Sequence, residues 1–191
     1  MPREHKIVFV GSMGAGKTTA IRNVSDTTPV STDVENTARH EFQKATTTVA
    51  MDYGEVALGD GDTLRLYGTP GQTRFDFMWR ILGRDALGFV FLVDNSRPDP
   101  CQDLRDYLDA FADLLKDGVA VIGVGRTETH PTPALDAYYD LLAARDCQVP
   151  TFAVDVRRRE DVLLLLDTLF HQIEAMTPTD LEQDIDVEAA G

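Results

Sequence analysis

The stretch Gly11-Ser12-Met13-Gly14-Ala15-Gly16-Lys17-Thr18 fits the pattern G-x-x-x-x-G-K-[ST]. Glycines at these positions let the backbone curl around a polyphosphate and aim its N–H groups inward. A lysine at position 17 reaches the β- and γ-phosphates, and the hydroxyl of Thr18 is available to Mg²⁺. The expected nucleotide-binding set therefore runs Gly11, Ser12, Met13, Gly14, Ala15, Gly16, Lys17, Thr18 and Thr19. Cys101 and Cys147 are far apart and fit no metal spacing, so they read as two reduced thiols.

The elements around this loop are those it needs. Lys6 to Val10 is an apolar, β-branched run and predicts a buried strand; Thr18 to Val24 lacks Gly and Pro and predicts a helix. The start of that helix adds partial positive charge beneath the phosphates. A polar, weakly patterned stretch follows from Ser25 to Thr47, of a kind that is usually functional or mobile. Further strands are predicted over Thr48–Leu58, Thr63–Tyr67, Leu87–Val93, Val119–Val124 and Thr151–Val154, with Gly59-Asp60-Gly61-Asp62 as a hairpin turn. Helices are predicted within Arg74–Leu82 and over Asp103–Lys116, Pro133–Ala144 and Glu160–Ile173. In the last of these, Leu163, Leu166, Phe170 and Ile173 are taken as the inward row. Alternating strands and helices after one hairpin predict an α/β fold: a mostly parallel six-stranded sheet, one antiparallel strand, and helices on both faces. Ligands in such sheets bind at the carboxyl ends of the strands. The 11–18, 68–72, Asp94, 125–128 and 155–157 loops all fall at that end.

The 191 residues suit one domain with a substantial core, and 43% apolar with 26% charged residues is the composition of a soluble globule. A net charge of −14 disfavours binding to nucleic acid or anionic lipid. No signal peptide, membrane span or lipidation motif is visible, which predicts a cytoplasmic protein without a direct membrane anchor. Residues 177–191 are acidic and lack aromatics, as in a disordered tail.

Several ordered motifs resemble those of the Ras-like small GTPases. They are the phosphate loop, Thr46-Thr47-Thr48 before Val49-Ala50-Met51-Asp52-Tyr53-Gly54, and Gly68-Thr69-Pro70-Gly71-Gln72-Thr73-Arg74-Phe75. Trp79-Arg80 and Phe91-Leu92-Val93-Asp94-Asn95-Ser96 add to them. The similarity is nearest to the bacterial branch that includes the gliding-motility MglA-type switches and GTPases encoded beside roadblock-domain proteins. It covers about residues 5–175, and implies a P-loop NTPase domain over 1–176 that binds GTP and GDP with Mg²⁺. It also implies a monomer regulated by a protein partner of roadblock type.

The same resemblance distributes roles. Thr48, with Thr47 as the alternative, is expected to bind Mg²⁺ and sense the γ-phosphate. The Gly71 N–H is expected to contact the γ-phosphate, and Gln72 to orient the attacking water. Arg74 is either a finger in cis or an ordinary switch-helix arginine, and the resembled motif favours the second. Three positions depart from the pattern. Gly68 stands where an aspartate usually holds Mg²⁺ through water, and Asp52 on the neighbouring strand is the expected substitute, against the alternative of an exposed strand aspartate. Met13 puts bulk beside the γ-phosphate and predicts slow intrinsic turnover. Gly125-Arg126-Thr127-Glu128 replaces N-K-x-D. Glu128 is expected to accept from guanine N1 and N2, the stem of Arg126 to lie over the ring, and backbone N–H groups of Asp155 and Val156 to favour an O6 acceptor.

The leading expectation is thus a slow GTP hydrolase acting as a switch. A nucleotide-binding adaptor with negligible hydrolysis is the second, supported by Gly68, Met13 and Gly125 and opposed by Gln72. A P-loop phosphotransferase is the third; its arginine-rich lid would have to be Arg157-Arg158-Arg159, which reads better as a solvated helix start.

Overall fold

The computed structural model describes residues 2–26, 30–34, 49–71, 76–116 and 118–176. Thr46, Thr47, Thr48, Gln72, Arg74 and the 177–191 tail lie outside them. The elements are β1 (Glu4–Gly11), α1 (Lys17–Val24), β2 (Val30–Val34), β3 (Val49–Ala57) and β4 (Thr63–Gly68). They continue with α2 (Asp76–Gly83), β5 (Gly88–Asp94), α3 (Pro100–Ala110), β6 (Val119–Gly125), α4 (Leu135–Ala143), β7 (Thr151–Val154) and α5 (Arg159–Met176). A 3₁₀ turn, Gly59–Gly61, closes the β3–β4 hairpin.

One sheet holds the seven strands of the described residues in the order β2-β3-β4-β1-β5-β6-β7. β3 is antiparallel to both neighbours, and every pairing from β4 through β7 is parallel. The fold is therefore the expected α/β class with one reversed strand. β2 adds a seventh, edge strand within the polar stretch.

Period-two alternation explains why both faces need cover. Ile7, Phe9, Val90, Leu92 and Val121 face α1 and α5, where Ala20, Ile21, Leu165 and Leu169 meet them. Val8, Val10, Phe89, Phe91 and Ile122 face the opposite layer, packed against Trp79, Leu104, Phe111 and Tyr138. Phe111 is the hub of that layer, with ring centroids 5.3 Å from Phe89, 5.7 Å from Phe91 and 5.8 Å from Trp79.

Two expectations about helices change. α3 starts earlier, with Pro100 in its first turn and the Asp99 carboxylate accepting from the Gln102 amide at 2.9 Å. It also ends at Ala110, not Lys116. Phe111, Leu114 and Leu115 continue the apolar spacing as turns that still reach the core. In α5 the inward row is Val162, Leu165, Leu166 and Leu169, while Leu163 is 42% exposed. No helix among the described residues is long and apolar enough to cross a membrane.

Candidate functional site

The carboxyl ends of β1, β6 and β7 surround a cavity of about 430 Å³. Its walls are the glycine loop (Gly14 to Gly16, with Thr19), the loop after β6 (Arg126 to Thr129) and the loop after β7 (Asp155 to Arg158). The glycine loop thus meets two loops that lie more than a hundred residues further along the chain. The phosphate loop forms one end. Glu128, Asp155 and Val156, expected from the sequence to handle the base, line the remainder.

Gly16 shows why the loop needs glycine. Its φ is +99°, and a Cβ there would lie 2.6 Å from Val156 Cγ2. The glycine loop and the loop after β7 are consequently packed against each other with no room for a side chain at residue 16. Asn23 on α1 strengthens this junction, donating to the Val156 carbonyl at 2.6 Å. Gly71 makes a second close approach: a Cβ on it would stand 2.4 Å from Met13 N. The Met13 side chain itself is 71% exposed.

Lys17 is 7% exposed, and its ammonium donates to the carbonyls of Gly11 at 2.7 Å and Ser12 at 2.8 Å. Burial pushes its pKa down to about 8, with the nearby Asp52 carboxylate opposing the shift. Thr18 donates its hydroxyl to Asp52 Oδ2 at 2.8 Å. Asp52 sits opposite Gly68 in the β3–β4 register, and a Cβ on Gly68 would lie 3.0 Å from Asp52 Cβ and Oδ2. The missing side chain on β4 is what gives the β3 carboxylate its room. Among the described residues no group of three or more His, Cys, Asp or Glu could hold a metal unaided. A hydroxyl beside a carboxylate nonetheless suits Mg²⁺, which takes few protein oxygens and completes its shell with phosphates and water.

In the loop after β6, Arg126 adopts φ +64° and its guanidinium is already engaged. It pairs with Asp94 Oδ2 at 2.6 Å and donates to Ser96 Oγ at 2.9 Å and the Gly14 carbonyl at 3.0 Å. Asp94 is 5% exposed, and without this pairing it would be a buried, uncompensated charge. The Asp155 amide, expected to face the base, donates instead to Asp161 Oδ2 at 2.7 Å. The Asp155 carboxylate is held by Arg157, whose hydrogen bonds bring its pKa down to about 2. Sequence reasoning did not find the Asp94–Arg126 pair or the Asp161 contact. The available signal was polar residues immediately after buried strands, which mark the ligand end of a parallel sheet.

Comparison with known proteins corrects the family expectation. Residues 33–122 match the model of a family described as conserved hypothetical ATP binding protein. An uncharacterized protein of Methanocaldococcus jannaschii is 34% identical over 90 residues, which is 47% of this chain and 50% of that protein. The chain thus spans about half the length of the curated relative it matches. The matched stretch lies outside the glycine loop of residues 11–18, and the two point independently to a nucleotide as the ligand. The resemblance to Ras-like and MglA-type GTPases does not stand: the match is to an ATP-binding family, and the relative is archaeal rather than bacterial. The physical reason lies in the motifs. A phosphate loop answers to polyphosphate chemistry shared by unrelated P-loop proteins, while the positions that would have separated families, Gly68 and Gly125, already departed from the Ras-like pattern. The roadblock-type partner was implied by that resemblance alone.

Proposed function

We propose that this chain is a Mg²⁺-dependent nucleoside triphosphatase that prefers GTP, hydrolyses it slowly to GDP, and works as a switch read by a regulatory protein. The observation that carries the preference is Glu128 in the wall of the cavity that the phosphate loop also lines. A carboxylate is an acceptor only. Guanine offers two adjacent donors, N1–H and N2–H, to such a group, whereas adenine offers N6–H₂ beside the N1 lone pair, which a carboxylate repels. Val156 N–H would serve O6. In this reading Lys17 holds the β- and γ-phosphates, Thr18 and Thr48 take Mg²⁺, and Gly71 meets the γ-phosphate. Gln72 positions the water.

Asp52 is the outer-shell carboxylate of this reading, supported by its 2.8 Å contact to Thr18. Asp52→Ala is expected to raise the Mg²⁺ concentration needed for half-maximal GTP binding by about tenfold, the loss of one hydrogen bond to a charged group. A Mg²⁺ titration at fixed GTP checks it, and an unchanged midpoint removes Asp52 from the site. Single-turnover cleavage of labelled GTP tests hydrolysis itself: GDP formation quickened by a protein partner supports the switch, and tight binding without cleavage supports an adaptor. A second reading, ATP as the ligand, is favoured by the description of the matched family and by the engaged Asp155 amide.

A further inference from the structure

Asn95, the first residue after β5, is 2% exposed and spends every polar group of its side chain on other parts of the chain. Its Nδ2 donates to the His130 carbonyl at 2.6 Å and the Pro133 carbonyl at 3.0 Å. Its Oδ1 accepts from the Tyr138 hydroxyl at 2.5 Å, and its backbone N–H donates to the Gly125 carbonyl at 3.2 Å. One residue thereby grips both ends of the 126–133 loop, at Gly125 where the loop leaves β6 and at His130 and Pro133 where it approaches α4. Tyr138, fully buried on α4, fixes the amide's orientation; burial pushes its hydroxyl pKa up, so it stays a neutral donor. Inside the loop, the Arg126 carbonyl accepts from the amides of Thr129 at 3.2 Å and His130 at 2.8 Å. The turn that carries Glu128 is thus closed on itself and clamped at its base.

We infer that Asn95 and Tyr138 form a buried brace that positions the 126–133 loop and so determines base selectivity without touching the nucleotide. The inference rests on the guanine reading of Glu128. A buried amide with all its bonds made rigidifies what it holds, and an exposed turn without such support samples many orientations. An acceptor discriminates between purines only where its position is fixed.

The test compares Asn95→Ala, and Tyr138→Phe as the mild variant that keeps the ring, by two measurements: amide hydrogen exchange of residues 126–133 and the affinity ratio for GTP over ATP. Asn95→Ala is expected to speed exchange in the loop and lower the ratio at least tenfold, and Tyr138→Phe about threefold, in line with the usual worth of neutral hydrogen bonds. Binding of inorganic tripolyphosphate is expected to stay within about twofold, because the side chains of Asn95 and Tyr138 bond His130, Pro133 and each other and none of the phosphate loop. In a Glu128→Ala background Asn95→Ala is expected to lower the ratio no further. Unchanged exchange, an unchanged ratio with Glu128 present, or a loss that adds fully to that of Glu128→Ala overturns the brace. If Glu128→Ala alone leaves the ratio at the wild-type value, the guanine reading fails instead, and loop exchange still decides whether the brace exists.

Discussion

Lys17→Ala is expected to weaken GTP binding by about two orders of magnitude, and the wild-type protein to lose GTP affinity as pH rises above about 8. Each charged hydrogen bond from a lysine to phosphate is worth about 1.5–3 kcal/mol, so losing one or two yields that factor. The pH dependence follows from burial. The ammonium is placed against two backbone carbonyls, and desolvation lowers its pKa from 10.5 to about 8 in the free protein. A bound triphosphate favours the charged form, so above about pH 8 binding takes up a proton and affinity falls by up to about tenfold per unit. Stability moves the opposite way. Between about 8 and 10.5 the unfolded chain binds more protons at this lysine than the folded one, so the Lys17 contribution to stability rises with pH through that window. Titration of GTP from pH 7 to 9.5, beside urea unfolding of the free protein, reads both slopes. Affinity that is flat with pH would mean Lys17 is not the phosphate ligand.

Glu128→Ala is expected to cut the preference for GTP over ATP by about 100-fold while leaving ATP affinity within a fewfold of wild type. Two charge-assisted hydrogen bonds to guanine disappear, and with them the repulsion of the adenine N1 lone pair. Glu128→Gln discriminates further. Its amide offers a donor to that lone pair and an acceptor to N6–H₂, so relative ATP affinity is expected to rise. Equilibrium competition with a fluorescent nucleotide reads both variants. A wild-type ratio in Glu128→Ala would assign base reading to another group.

Much of this architecture is legible in the sequence because its signals are local. The continuous apolar runs of Lys6–Val10 and Leu87–Val93, bounded by loops, mark central strands, and the glycine loop between strand and helix fixes which edge of the sheet carries chemistry. β2 was not legible: Val30-Ser31-Thr32-Asp33-Val34 sits within a polar run with no sustained period, and its strand form depends on pairing with β3. The phase of α5 was lost for a related reason. Four consecutive leucines, Leu163 to Leu166, give no preferred face, so packing against β5 and β6 selects Leu165 and Leu166 and leaves Leu163 and Leu164 outside. The continuation of Phe111, Leu114 and Leu115 at helical spacing after α3 has ended shows the converse, a periodic pattern satisfied by turns.

At the site, residue types were readable and their partners were not. Asp52 stood out because Gly68 left an acidic role vacant, and it lies against Thr18. The spacing of residues 125–128 suggested Arg126 and Glu128. Nothing in that spacing indicates that Asp94, more than thirty residues earlier, neutralises Arg126, or that Asp161 captures the Asp155 amide. Such contacts arise from the sheet bringing the ends of β5, β6 and β7 together, and are properties of the assembled fold. The family expectation failed for want of this information, since the motifs it used report phosphate binding rather than ancestry.

The most direct test of the account is competition of GTP, GDP, ATP and ADP for the nucleotide-free protein in Mg²⁺. GTP and GDP are expected to displace a bound fluorescent nucleotide at concentrations at least about 100-fold lower than ATP and ADP, as a site built around paired donors on one base edge requires. Equal or tighter binding of ATP would contradict it and make the chain an adenine-nucleotide protein, with Glu128 turned to solvent.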